Sequence, residues 1–139
     1  MTDLEADLDP AAAAAERRTA CLCELYLRGT EWAALGAARW LGRADQEAAQ
    51  DSAANGLRAA LELLPIRGRV VLGTPDEAAG LVPGEIVGAG GEEVDLALDA
   101  LEGRGVVARG GNGAMSMIAV GEPGKFLTLP DMYMRKMAV

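Results

Sequence analysis

Histidine is absent from the 139 residues. That removes the commonest general base, the commonest metal ligand and every His-dependent catalytic triad. Aromatic residues make up only 4% of the chain, so the core must rest on Ala, Leu, Val and Met. Side chains that small favour close-packed helices and a sheet of little bulk. The two cysteines, Cys21 and Cys23, lie two positions apart. On a helix they point to different faces, so a mutual disulfide or shared metal site is not easily made, and both read as small packed side chains. Basic residues are outnumbered, 13 against 21 acidic, giving a net charge of −8. Affinity for nucleic acid comes from phosphate neutralisation, and anionic membranes attract cations, so this balance excludes both as expected partners. No apolar run reaches membrane-spanning length, and the acidic stretch Met1–Asp9 lacks the apolar centre of a secretory signal. A cytoplasmic protein is the resulting expectation.

Half of the residues are hydrophobic and 18 are glycine. The length suits one domain with a sizeable core, expected over residues 11–139 after a disordered acidic lead over residues 1–10. Helix propensity is strong from Ala11, and Leu22, Leu25, Tyr26, Gly29, Trp32, Ala33, Gly36 and Trp40 recur in steps of three and four. The spacing predicts an amphipathic helix to about Leu41, kinked at Gly29-Thr30 and stopped by Gly42. Asp45 is an N-cap for a second helix, whose stripe runs Ala49, Ala53, Gly56, Leu57, Ala60 and Leu64 up to Pro65. Arg67-Gly68-Arg69 reads as a turn and Val70-Val71-Leu72 as a short strand. Glu85-Ile86-Val87, Met115–Val120 and Phe126–Leu129 read as further strands, the last pairing back through Glu122-Pro123-Gly124-Lys125. Two helices followed by strands with short turns predict a layered α/β (α+β) fold, the helices on one face of a mixed sheet.

The centre of the chain is Glu93-Val94-Asp95-Leu96-Ala97-Leu98-Asp99-Ala100-Leu101-Glu102-Gly103. Apolar and polar residues alternate with the period of a strand having one apolar face. The strand ends in a bend that holds Asp99 and Glu102 three positions apart before Gly103. An acidic pair on a rigid strand end can present oxygen ligands to a hard divalent cation, Mg²⁺ or Mn²⁺. A buried carboxylate pair would also have raised pKa values suited to proton transfer.

Several segments in order resemble the class II fructose-1,6-bisphosphatase family, within the lithium-sensitive, metal-dependent sugar-phosphatase superfamily. They are Trp40-Leu41-Gly42-Arg43, Val70-Val71-Leu72-Gly73, Asp76-Glu77-Ala78, Val94 to Gly103, Ser116-Met117-Ile118-Ala119 and Pro130-Asp131-Met132-Tyr133-Met134. The resemblance covers the chain from about Arg17 onward. It implies the N-terminal half of the sugar-phosphatase fold. Family members are longer, with a second domain downstream, so a truncated member is expected.

What the resemblance implies for the site goes residue by residue. The family's metal carboxylates at the bend match Asp99 and Glu102, its substrate-side tyrosine matches Tyr133, and a position near the substrate matches Ser116. Its acidic ligand on the second helix and a lysine four residues earlier fall on Gln50 and Gln46, with Asp51 a quarter-turn aside. Its glutamate-bearing loop after the first strand is shortened to Gly73-Thr74-Pro75-Asp76. Its proline in the bend is Ala100, and its threonine after the glycine is Arg104. Phosphoryl hydrolysis needs metal charge to neutralise phosphate and to make hydroxide; a guanidinium binds phosphate but makes no hydroxide.

The expectation is therefore a degenerate member that is no longer a bisphosphatase. It would be repurposed to bind or transform a small molecule, phosphorylated or not, by acid/base or electrostatic means without a required cofactor. The expected catalytic side chains are Asp95, Asp99, Glu102 and Tyr133. Substrate binding falls to Arg104, Ser116 and Tyr133, and any weak metal to Asp99 and Glu102. The alternatives are a residual Mg²⁺-dependent sugar phosphatase and a non-catalytic assembly protein. A homo-oligomer is expected, with Met115–Val120 or Phe126–Val139 near the contact.

Overall fold

In the computed structural model the described residues are 22–73, 80–127 and Arg135. The acidic lead, the helix start at Ala11, the Asp76-Glu77-Ala78 segment and the Pro130–Met134 segment with Tyr133 lie outside them. Two antiparallel helices, α1 (Leu22–Ala38) and α2 (Gln46–Leu61), form one layer. The other layer is a mixed four-stranded sheet of β1 (Ile66–Leu72), β2 (Ile86–Val87), β3 (Glu92–Glu102) and β4 (Met115–Gly121), in the order β2-β1-β3-β4. β1 and β3 run parallel; the other neighbours are antiparallel. A short helix α3 (Arg104–Ala108) follows β3 directly.

The scarcity of large side chains has its counterpart at the helix crossing. A Cβ on Gly36 would fall on the Ser52 carbonyl oxygen, and one on Gly56 on the Trp32 carbonyl oxygen. The two backbones touch through glycines, which is what lets side chains as small as the alanines at 33, 37, 49, 53 and 54 fill the core. α1 runs unbroken through Gly29, so the expected kink is absent. Gly29 serves close packing instead: a Cβ there would lie 2.7 Å from Ile118 Cδ1 and 2.9 Å from Leu57 Cδ1. The second helix starts as read, with Asp45 Oδ1 accepting from the Ala48 amide at 2.9 Å. Cys23 is disulfide-bonded, which corrects its reading as a plain packed side chain; Cys21 lies outside the described residues.

Arg67-Gly68-Arg69 is strand rather than turn. Gly68 faces the core against Leu96, while the flanking arginines point out beside the acids of β3. Arg67 lies 3.9 Å from Glu93, and Arg69 pairs with Asp95. Cross-strand charge pairing made a strand of two arginines and a glycine that local propensity reads as a turn. At the C-terminal end of α2, Arg58 pairs with Glu62 and with Glu85, and Glu85 also accepts from the Leu81 amide. This fastens the loop that leads into β2. Phe126 and Leu127 are not in a strand, although the Lys125 amide closes the turn onto the Glu122 carbonyl at 3.1 Å. The rest of that expected strand lies outside the described residues.

Candidate anion-binding site at the acidic bend

β3 buries Val94, Leu96, Leu98 and Ala100 beneath the helices and turns Asp95, Ala97 and Asp99 to the other face of the sheet. Pairing with β4 is regular to Asp99↔Met117, then slips and resumes at Glu102↔Met115. Ala100 and Leu101 bulge into the core, and the strand end bends. Asp99 supports the bend: its Oδ1 accepts from the Leu101 amide at 3.1 Å. The Ser116 hydroxyl donates to the Asp99 carbonyl at 3.5 Å. Glu102 is exposed. Gly103 has a φ of 91°, open to glycine at little cost, and starts α3 so that Arg104 heads the helix.

α3 is held in place by the α1–α2 connection. The Gly42 amide donates to the Val107 carbonyl and the Ala44 amide to the Ala108 carbonyl, each at 2.9 Å. Between this connection, the start of α2 and α3 lies a cleft of about 620 Å³, lined by Arg43, Ala44, Asp45, Gln46, Glu47 and Arg104. The Arg43 guanidinium also sits 5.9 Å from the centre of the Trp40 ring, whose indole N–H donates to Ser52 at 2.7 Å. Asp45 is occupied as the cap of α2.

The structure therefore brings Asp99, Glu102, Arg104 and Ser116 to one end of β3. It does not bring Asp95 with them. Asp95 lies four residues back, about 13 Å along a strand, and corrects the expectation of an acid on the same rim. Its side chain is only 2% exposed and is fully engaged. Arg69 donates from Nε and one terminal nitrogen to the two carboxylate oxygens at 3.0 and 3.1 Å, and the Gly124 amide donates to Oδ2 at 2.7 Å. The Arg69 guanidinium, aided by that amide, holds the Asp95 carboxyl below its ordinary value despite burial. The raised pKa expected of a buried carboxylate is thus reversed here. Asp95 is a clasp joining β1, β3 and the turn after β4, and the period-two pattern that put it on the outer face could not name its partner.

A clasp of this kind is felt in acid. A carboxylate whose folded pKa is depressed contributes stability that is fully present above the unfolded value of about 3.9, and that is lost as pH falls through the folded value. Glu85 adds in the same sense: burial pushes its carboxyl up, but Arg58 and the Leu81 amide outweigh this and bring it down. Unfolding free energy should be level from about pH 5 to 8 and fall below about pH 4. Asp95→Asn should lower the level region and flatten the acid limb, read from urea midpoints across pH. An acid limb as steep as the parent's would exclude Asp95 as its source.

Family metal chemistry would need carboxylates gathered around Asp99 and Glu102. Among the described residues no group of three or more His, Cys, Asp or Glu side chains is placed to hold a metal ion. Gln50 on α2, the position that the resemblance sets against a family ligand, is 6% exposed and neutral. Its neighbour Asp51 has one buried carboxylate oxygen without a hydrogen-bond partner, but joins no such group. The described donor set does not fit a pair of divalent ions.

Two helices on a mixed sheet, with an acidic bend at a strand end and a cleft lined by two arginines and two acids near α3, define an α/β protein. The family is then given by comparison. Residues 20–139 match the model of the bacterial, glpX-encoded fructose-1,6-bisphosphatases, and the chain belongs to that family. Fructose-1,6-bisphosphatase 1 class 2 of Escherichia coli strain K12 is 44% identical over 117 residues, which are 82% of this chain and 35% of that protein. The D-fructose 1,6-bisphosphatase class 2/sedoheptulose 1,7-bisphosphatase of Synechococcus sp. strain JA-2-3B'a(2-13) is 41% identical over 123 residues, 78% of this chain and 35% of its own. The chain thus spans about 35% of the length of these relatives. No helix among the described residues is long and apolar enough to cross a membrane.

Proposed function

We propose that this chain binds a phosphorylated small molecule of the sugar bisphosphate class in the cleft beside the acidic bend, and that it does so without two-metal hydrolysis. The observation that carries this reading is Arg104, set at the head of α3 one residue beyond the bend and lining the cleft with Arg43. The relatives' names supply the ligand class, and the donor set at the bend supplies the argument against hydroxide formation. A guanidinium meets a phosphate through parallel N–H donors, so two of them take over the charge neutralisation that metal ions provide elsewhere. The free carboxylate oxygens of Asp99 and Glu102, on the strand end that leads into α3, would accept hydrogen bonds from sugar hydroxyls. Gln46, neutral where the family has a lysine, donates or accepts without adding charge. Any transformation of the ligand would fall to proton transfer at Asp99 or Glu102.

The test is calorimetric titration of fructose 1,6-bisphosphate into the chain, once with a chelator and once with Mg²⁺, with inorganic phosphate measured in parallel. Binding of equal strength in both, without phosphate release, is expected. Binding that appears only with Mg²⁺, together with phosphate release, would establish the residual phosphatase instead. No binding in either condition would leave a protein that keeps the fold for assembly.

A further inference from the structure

The helix layer holds a second concavity, on its solvent side, that the site at the acidic bend does not use. Where α1 and α2 cross, Gly36 and Gly56 place no side chain in the contact and the two backbones meet. The side chains flanking the crossing therefore stand above bare backbone. The result is a cavity of about 500 Å³. Trp32 and Leu35 of α1, with Arg39 in the turn directly after it, form one wall, and Ser52 and Asn55 of α2 form the other. It shares no lining residue with the cleft near α3, and its size suits one small ligand.

The polar groups of this cavity are donors left unused by the fold. Arg58, Arg67 and Arg69 each lie beside a carboxylate, but among the described residues Arg39 has no ion-pair partner. Trp40 gives its indole N–H to Ser52, whereas that of Trp32 meets no acceptor among the described residues. The Asn55 carboxamide adds a neutral donor and is likewise not engaged. No Asp or Glu lines the cavity, in a chain of net charge −8, while the cleft near α3 has Asp45 and Glu47. One guanidinium among neutral donors selects a single anionic group, and its fork matches the two oxygens of a carboxylate. The rest of the wall is apolar. Trp32 is 38% and Leu35 67% exposed, so a flat hydrophobic body lying on them would be drawn out of water. The indole ring favours another aromatic ring over an aliphatic chain. A bare inorganic anion would meet Arg39 and leave the indole and Leu35 wet.

We propose that this cavity binds a small aromatic carboxylate, its charged end on Arg39 and Asn55 and its ring against Trp32 and Leu35. The probe is 2-naphthoate, titrated into the full chain and followed by the two indole N–H signals in nitrogen-resolved NMR. The Trp32 signal should move saturably and further than that of Trp40. Arg39→Gln keeps a polar stem and removes the charge, and should weaken binding about tenfold or more. The uncharged analogue 2-naphthamide should bind the parent more weakly by about the same factor. Trp32→Leu removes the ring and should cost about tenfold, while Trp32→Phe keeps a ring and should cost only a few-fold. Urea midpoints check that each variant is folded. Arg39→Gln should bind fructose 1,6-bisphosphate as the parent does, so the two sites stand or fall separately. No saturable movement of the Trp32 signal at millimolar 2-naphthoate overturns the proposal. Equal binding of 2-naphthamide, or parent-like binding by Arg39→Gln, overturns it as well. Displacement of the probe by millimolar inorganic phosphate would show a general anion patch and would also overturn it.

Discussion

Gly36→Val is expected to lower the unfolding free energy of the chain by about 3 kcal/mol. The new Cβ and its methyls would occupy the space of the Ser52 carbonyl. That oxygen is part of the α2 backbone and cannot swing aside as a side-chain tip can. The helices must separate, and the alanines packed on either side lose contact along the whole crossing. Overpacking of a core costs about 1–3 kcal/mol where side chains can adjust, and occasionally more. With backbone on the opposing surface the upper end, about 3 kcal/mol, is the expectation. Valine recovers only a few tenths of a kcal/mol of helix propensity over glycine. A domain of this size has about 5–15 kcal/mol in total, so the loss is a large share of it. Urea unfolding with an unchanged slope and a lowered midpoint is the readout. Ala59→Val, on the exposed face of α2, is the control and should cost less than about 1 kcal/mol. A parent-like midpoint for Gly36→Val would refute the backbone contact.

Arg104→Glu should weaken binding of fructose 1,6-bisphosphate about 100-fold in the presence of chelator. The reversal removes one cation from the cleft and adds an anion two residues from the exposed Glu102, where a phosphate would sit. Arg28→Glu controls for overall charge. It makes the same change of two units, and Arg28 is exposed on α1, away from the cleft. At moderate salt, repulsion beyond about 10 Å is largely screened, so the control should bind nearly as the parent does. Equal losses in the two variants would show that net charge, and not Arg104, governs affinity. Parent-like binding by Arg104→Glu would move the site elsewhere.

Much of this architecture was legible along the chain because it follows from periodicity. The steps of three and four in α1 and α2, the Asp45 cap and the alternation over Val94–Leu98 are local patterns, and each element stands where they place it. The acidic bend was legible for the same reason: a strand period that breaks at Asp99 and closes on Gly103. What escaped was decided by partners distant in sequence. Arg67-Gly68-Arg69 has no strand signal of its own and is strand because Glu93 and Asp95 lie opposite. Asp95 gives the same strand-period signal as Asp99, yet one is bound by Arg69 and the Gly124 amide and the other sits at the bend. The five residues of α3 are too few for a helical period to register, and they are fixed by the Gly42 and Ala44 amides.

By itself the sequence determined the two long helices, the central strand, the family and the residue types near the bend: no histidine, Gln46 and Gln50 on the second helix, and an arginine after the glycine. The tertiary structure alone decided which charges are used up inside the fold and which remain at the cleft. Charge pairing depends on distance through space, and a one-dimensional pattern holds no record of which strand or helix end will arrive opposite. The glycine crossing is the same case: Gly36 and Gly56 read as weak points of two helices until the backbones they admit are seen to meet.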